Sequence, residues 1–155
     1  MQTLAEIVAE SPVFAGMEPA RLALVAGCAQ NTGFEAGQEL FREGDAADVF
    51  YLVRTGSISL EIHAPGRGGL AVETIDEGEV VGWSWLFPPY RWHFDARAVE
   101  AVRAVAFDGA CLRGKCQDDA ALGYDLMSRF AQVMIERLEA TRLRLLDVYG
   151  HVAAR

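Results

Sequence analysis

Three patterns of apolar and polar positions follow one another along the chain. Residues 3–10 read as a short helix closed at Ser11-Pro12, because proline cannot continue the backbone ladder and holds its predecessor extended. Glu18-Pro19 opens a second helix, and "ARLALVAGCA" carries apolar residues three and four apart. From Asn31 the period shortens to two. Short apolar runs alternate with turn signals at Ala36-Gly37, Glu43-Gly44-Asp45, Thr55-Gly56, Pro65-Gly66, Gly68-Gly69 and Glu77-Gly78. Short strands turning at glycines predict an antiparallel barrel or sandwich, which "ARAVEAVRAVAFDG" closes. After Asp119 the pattern is helical to about Tyr149. Tyr124, Ala131, Leu138 and Leu145 recur at heptad spacing, as do Met127, Met134, Thr141 and Val148. A second stripe, Leu122, Leu126, Phe130 and Val133, is expected to face the barrel. One stripe for the core and one for a second copy make this helix a dimerisation element.

The sequence is therefore expected to form one mainly β domain with flanking helices: helices over 1–30, strands over 31–108 and helices over 109–150. Its 155 residues suffice for a core without staples, and 52% hydrophobic with 23% charged residues is a globular balance. A net charge of −8 and a pI of about 4.8 argue against neutralising phosphates on nucleic acid. No apolar run approaches the roughly 18 residues of a membrane span. "MQTLAEIVAE" lacks the cationic start of a signal peptide, so no membrane partner and a cytoplasmic location are expected. Cys28, Cys111 and Cys116 form no CxxC pair. Cys111-x4-Cys116 could be half a metal site or a redox pair; the plainer reading is a small buried thiol beside a surface one, in a reducing compartment.

"GEVVGWSWLFPPYRWHFDARA", Gly78 to Ala98, holds all three tryptophans, Trp83, Trp85 and Trp92. Its purpose becomes readable through the stretch before it. In "FEAGQELFREGDAADVFYLVRTGSISLEI", Gly37, Leu40, Phe41, Glu43, Gly44, Asp45, Phe50, Leu52 and Gly56 follow a pattern that resembles the cyclic nucleotide-binding domain of catabolite activator-like proteins. That resemblance implies a double-stranded β-helix, or jelly-roll-like β-roll, plus a long C-terminal dimerisation helix. It also places Gly78–Ala98 at the family's phosphate cassette, Gly-Glu-x-x-x-Leu, a loop, then Arg-Ser/Thr-Ala. There the acid receives the ribose hydroxyl, and the arginine and hydroxyl residue hold the cyclic phosphate.

Aligned on Gly82, this chain carries Trp83 in place of the acid, followed by Ser84. Trp92 and His93 stand where the arginine and the hydroxyl residue would be, with Arg91 one position away. Each lost charge-assisted bond is worth roughly 1.5–3 kcal/mol, so losing both would weaken a micromolar site by about two to four decades. The indoles either fill the cavity, stack a different and unidentified small molecule, or leave Arg91 to hold a phosphate. Thr141 and Arg142 fall where the family's long helix carries a Thr-Ser pair reaching the base; Thr141 is equally a polar seam position that fixes helix register. His63 and His93 do not by themselves specify haem ligation, and no catalytic ordering of side chains is found. The winged helix-turn-helix that follows the long helix in transcriptional relatives is not found either. The expectation is a non-catalytic, homodimeric regulatory or sensory domain without a resident cofactor. It would report to a partner protein and not to nucleic acid. A ligand-free structural subunit of a larger assembly is the alternative, and a nucleotide sensor using Arg91 a second one.

Overall fold

The computed structural model describes residues 1–66 and 68–153. Helix α1, Leu4–Glu10, begins with a capping box in which Thr3 accepts from Glu6 N and Glu6 reaches back to Thr3 N. Ser11 ends α1 and caps a 3-10 turn over Pro12–Phe14. Helix α2, Pro19–Ala26, starts at the expected Glu18-Pro19. Among the described residues eight strands follow: β1 Ala29–Phe34, β2 Glu39–Phe41, β3 Val49–Thr55, β4 Ile58–Ala64, β5 Gly68–Ile75, β6 Val80–Val81, β7 Asp95–Ala98 and β8 Val102–Asp108. Helices α3, Gly109–Asp118, and α4, Ala120–Ala153, complete the described chain.

The strands form two four-stranded antiparallel sheets, ordered β1-β8-β3-β6 and β2-β7-β4-β5. This is the antiparallel sandwich that the glycine-punctuated alternation predicts, in the jelly-roll arrangement that the family resemblance implies. Because successive strand residues face opposite sides, each strand of the first sheet serves two cores. Phe50 and Leu52 of β3, Val80 of β6 and Val105 and Phe107 of β8 meet the helices. Their neighbours Tyr51, Val53, Val81, Ala104 and Ala106 line the roll interior, against Ile58, Leu60, Ile75, Ala96 and Ala98 of the second sheet.

The inward stripe of α4 docks on the helix-side core: Leu122, Leu126 and Phe130 are fully buried, and Val133 packs beside them. One ion pair and two side-chain-to-carbonyl hydrogen bonds fasten the same helix to the N-terminal segment. Arg129 pairs with Asp125 at 2.7 Å and donates to the carbonyls of Val13 and Ala15, while Asp125 also meets Arg21 at 3.3 Å.

The cysteines depart from the expected set of free thiols. Cys28, next to β1, and Cys111, in the first turn of α3, are joined in a disulfide with Cα atoms 5.9 Å apart. The backbone prepares the pairing, since Asp108 N donates to Cys28 O at 2.8 Å and the Asp108 side chain caps Cys111 N. Cys116 remains free and half-buried, so the spacing Cys111-x4-Cys116 has no meaning as a pair. Among the described residues no cluster of His, Cys, Asp and Glu could hold a metal ion, and no helix is long and apolar enough to cross a membrane.

Candidate functional site

The tryptophan segment leaves β6 at Gly82, whose φ of +94° is costly for any residue bearing a Cβ. A single 3-10 turn over Ser84–Leu86 follows, with Trp83 as its cap and no side-chain hydrogen bond to its N-terminus. The chain then turns through Phe87 to Tyr90, the latter at φ 56°, and runs beside the Gly44–Ala47 turn. Ala47 N donates to Tyr90 O, Trp92 N to Asp45 O and Gly44 N to Trp92 O, at 2.7 to 3.0 Å. Asp45 in turn accepts from Arg42 N at 3.1 Å, so the family-like Glu43-Gly44-Asp45 turn is what holds Trp92 in place.

The three indoles have three destinations. Trp92, only 2% exposed, enters the roll interior and stacks on Phe41 with centroids 3.7 Å apart and planes 8° from parallel. Its six-membered ring lies directly beneath Gly82. Trp85 goes the other way, into the helix-side core, stacked on Phe50 at 4.8 Å and edge-on to Phe130 at 5.3 Å. Its Nε1 has no hydrogen-bond partner among the described residues. Trp83 stays half-buried against α4, with the Arg137 guanidinium 5.2 Å from its ring centroid.

Arg137 extends the inward stripe of α4 one turn beyond Val133. Its sequence signal is a charge on an otherwise apolar stripe, outside the cassette segment. It is 8% exposed, donates from Nη2 to Val80 O, and has Nε 3.6 Å from Glu73 Oε1. Nε and Nη1 make no hydrogen bond among the described residues. Burial pushes its pKa down, and the nearby Glu73, Glu79 and Glu136 oppose that shift.

The remaining sequence-derived candidates do not converge on the interior. Arg91 is exposed and donates to Gly44 O at 3.1 Å on the outer surface; His93 is exposed beside it. Ser84 is buried in the 3-10 turn. Thr141 and Arg142 are exposed on α4, and the Thr141 hydroxyl donates to Arg137 O at 2.8 Å within its own helix. Gly82 thus meets Trp92 on the roll-interior side, while Trp83 meets Arg137 of α4 on the helix side. Asp95 was not foreseen: it is 4% exposed, accepts from Glu43 N at 2.7 Å and meets His63 Nε2 at 2.6 Å. His63 is committed to that carboxylate.

A groove of about 530 Å³ runs between α4, at Val133, Arg137 and Ala140, and the β5–β6 turn at Glu77-Gly78-Glu79. It borders Val80, on the helix side of β6, while Trp92 lies on the Val81 side.

The family model for the cyclic nucleotide-binding domain matches residues 32–119, more than half of the chain. The chain belongs to that family. Among curated proteins it is similar to the CRP-like cAMP-activated global transcriptional regulator of Mycobacterium tuberculosis, 28% identical over 144 residues. That alignment covers 92% of this chain and 62% of the relative, so the chain spans less than two thirds of the regulator's length. Among solved structures, a Geobacter metallireducens protein classed as cyclic nucleotide-binding superposes with a TM-score of 0.79 at 28% identity, covering 89% of this chain and 99% of the other. The Thermus thermophilus catabolite activator protein has the same fold at 24% identity and a TM-score of 0.67, with 88% and 63% of the two chains covered.

Proposed function

We propose that the chain is a non-catalytic regulatory domain that has kept the cyclic nucleotide-binding fold but does not bind cyclic AMP through an acid–base cassette. One observation carries this reading. Trp92 stands where the cassette arginine would be, and its ring is stacked on Phe41 inside the roll at 2% exposure. An indole there fills space and offers a phosphate no positive charge. Trp83, at the position of the acid, presents a ring face to Arg137 where a carboxylate would otherwise compete for the guanidinium. Arg91 does not make good the loss, since its guanidinium lies on the outer surface against Gly44 O. In this reading the chain does not share the cyclic AMP activation for which the Mycobacterium relative is named.

Signalling in this reading runs through α4. Tyr124, Leu138, Leu145 and Val148 are 79, 51, 52 and 59% exposed along the heptad seam, and pairing with a second copy would cover them. The homodimer then acts on a protein partner in the cytoplasm. The net charge of −8 speaks against nucleic-acid contact by this segment. The filled interior equally favours a ligand-free interaction subunit, which differs in lacking any small-molecule response.

The test is calorimetric titration of cyclic AMP to millimolar concentration, with tryptophan emission followed in parallel. No saturable heat and no emission change are expected. Binding tighter than about 10 μM that Arg91→Ala abolishes would reject the proposal in favour of a nucleotide sensor.

A further inference from the structure

The disulfide joins two elements that also govern the tryptophan segment. Cys28 is 7% exposed, whereas Cys111 is half-buried; both line a groove of about 460 Å³ shared with Gln30, Asp48 and Asp108, so solutes can approach the bond. Two residues beyond Cys111, Arg113 donates from Nη1 to Trp85 O at 2.7 Å and lies over the Tyr90 ring at 4.3 Å. Gly109 N donates to Asp48 O at 2.7 Å, and Gly109 approaches Trp85 so closely that a Cβ would lie 3.0 Å from Trp85 Cβ. The first half of helix α3 is therefore tied by sulfur to Cys28, just before β1, and by Gly109 and Arg113 to Trp85 and Tyr90. It hands over to α4 at Asp119, whose side chain accepts from Ala121 N and Leu122 N.

Cys116 does not take part. It packs against the helix-side core, and burial, assisted by Asp119, pushes its thiol pKa up, which keeps it in the unreactive form. Disulfides in reducing compartments are uncommon and are mostly transient or redox-sensing. The expectation of a reducing compartment and the presence of this bond are reconciled if the bond is made and broken in use.

We propose that Cys28 and Cys111 form a reversible thiol–disulfide centre whose state is transmitted through α3 to the Trp83–Trp92 segment and the start of α4. The co-reactant is a small thiol such as glutathione, or an exchange protein presenting a dithiol. An external thiolate attacks Sγ of Cys111, the more exposed of the two residues, forming a mixed disulfide and releasing Cys28 as a thiolate, which takes up a proton. A second external thiol displaces Cys111, also protonated on release. Two electrons enter the chain, and the two external thiols leave as a disulfide. Oxidation is the reverse, with the external disulfide as oxidant. This inference does not depend on the reading of the nucleotide pocket.

The experiment equilibrates the full chain in glutathione buffers of graded oxidation, quenches with acid, alkylates and maps the cysteines by peptide mass. Cys28 and Cys111 should lose alkylation together as the buffer is oxidised and regain it on reduction, while Cys116→Ser leaves the transition unchanged. Tryptophan emission should follow the same curve, and amide exchange of residues 84–92 and 110–118 should be about tenfold faster in the reduced form. Cys28→Ser should give emission that ignores the buffer. Three results would overturn the proposal: thiols that remain alkylatable in fully oxidised buffer, a disulfide that excess dithiothreitol does not open in the native protein, or a pair that cycles with emission and exchange at 84–92 unchanged. The wild-type titration decides among these alone, should Cys28→Ser fail to fold.

Discussion

A Cβ at position 82 would lie 2.2 Å from the Trp92 ring, so Gly82 and Trp92 are two halves of one steric arrangement. The glycine's φ of +94° adds a backbone preference to the contact. Gly82→Ala should therefore destabilise the fold by about 2–4 kcal/mol, from overpacking and from a conformation that L residues avoid. Trp92→Leu alone should cost about 3 kcal/mol through the cavity it leaves. The double variant should be more stable than the sum of the two losses, because the leucine vacates the space the new methyl needs. Chemical denaturation of the four proteins measures the coupling. Strict additivity would mean that the indole does not occupy the site beneath Gly82.

Asp95 and His63 share a 2.6 Å contact but should respond very differently to mutation. Asp95 is buried and satisfies Glu43 N, so Asp95→Ala strands a backbone donor and should cost about 1–3 kcal/mol. The His63 side chain is 61% exposed, and His63→Ala should change stability by no more than about 0.5 kcal/mol. Thermal denaturation distinguishes them. Equal losses would show that the pair, and not the turn at Glu43, is what Asp95 serves.

Arg137 tests whether its charge or its bulk is needed beside Trp83. A buried charge can often be exchanged for an apolar chain of similar volume at little cost. Arg137→Met should stay within about 1.5 kcal/mol of the parent, while Arg137→Ala loses packing against the indole and should cost about 2 kcal/mol or more. If methionine proves as harmful as alanine in urea unfolding, the guanidinium itself is required.

The exposed seam of α4 predicts a change of mass without a change of fold. Leu138 is 51% exposed in the single chain, so Leu138→Glu should keep the helical circular dichroism and melt normally as a monomer. In a dimer the same glutamate would be buried without a partner, at several kcal/mol. Light scattering at micromolar concentration should report monomer for the variant and dimer for the parent. A dimeric variant would place the interface off this seam.

What could be read in advance follows from how local each signal is. The short apolar run of Phe50, Tyr51, Leu52 and Val53 states a strand, and strand geometry then sends its neighbours to opposite cores. The Leu122, Leu126 and Phe130 stripe states a docked helix for the same reason. The destinations of Trp83, Trp85 and Trp92 depend instead on a positive φ at Gly82, on another at Tyr90 and on the backbone bonds to Asp45 and Ala47. None of these has a periodic signature. Cys28 and Cys111 lie 83 positions apart and meet only because β1 pairs with the end of β8 that leads into α3. Asp95 looks like any strand acid until Glu43 N is found beside it.

The last prediction asks whether the roll still holds the geometry of a nucleotide site. Trp92→Arg removes the ring that fills the interior and leaves a buried guanidinium without a counter-charge, so alone it should lower the melting temperature sharply. Trp83→Glu should be milder, because the Trp83 position already faces Arg137 and a carboxylate there gains a charge-assisted partner. Combined, the two changes supply an acid for a ribose hydroxyl and a base for a cyclic phosphate on an unchanged scaffold. Cyclic AMP at millimolar concentration should then raise the melting temperature of the double variant, as any ligand that binds only the folded state must. It should not move that of the parent or of Trp83→Glu alone. The ring's departure, and not the acid's arrival, opens the cavity, so Trp92→Arg alone should show a weaker but measurable shift. A double variant that folds, as judged by circular dichroism, and still ignores the nucleotide would show that the interior has diverged beyond the two tryptophans. The Phe41 surface under the ring and the single 3-10 turn at Ser84–Leu86 would then be the places to look.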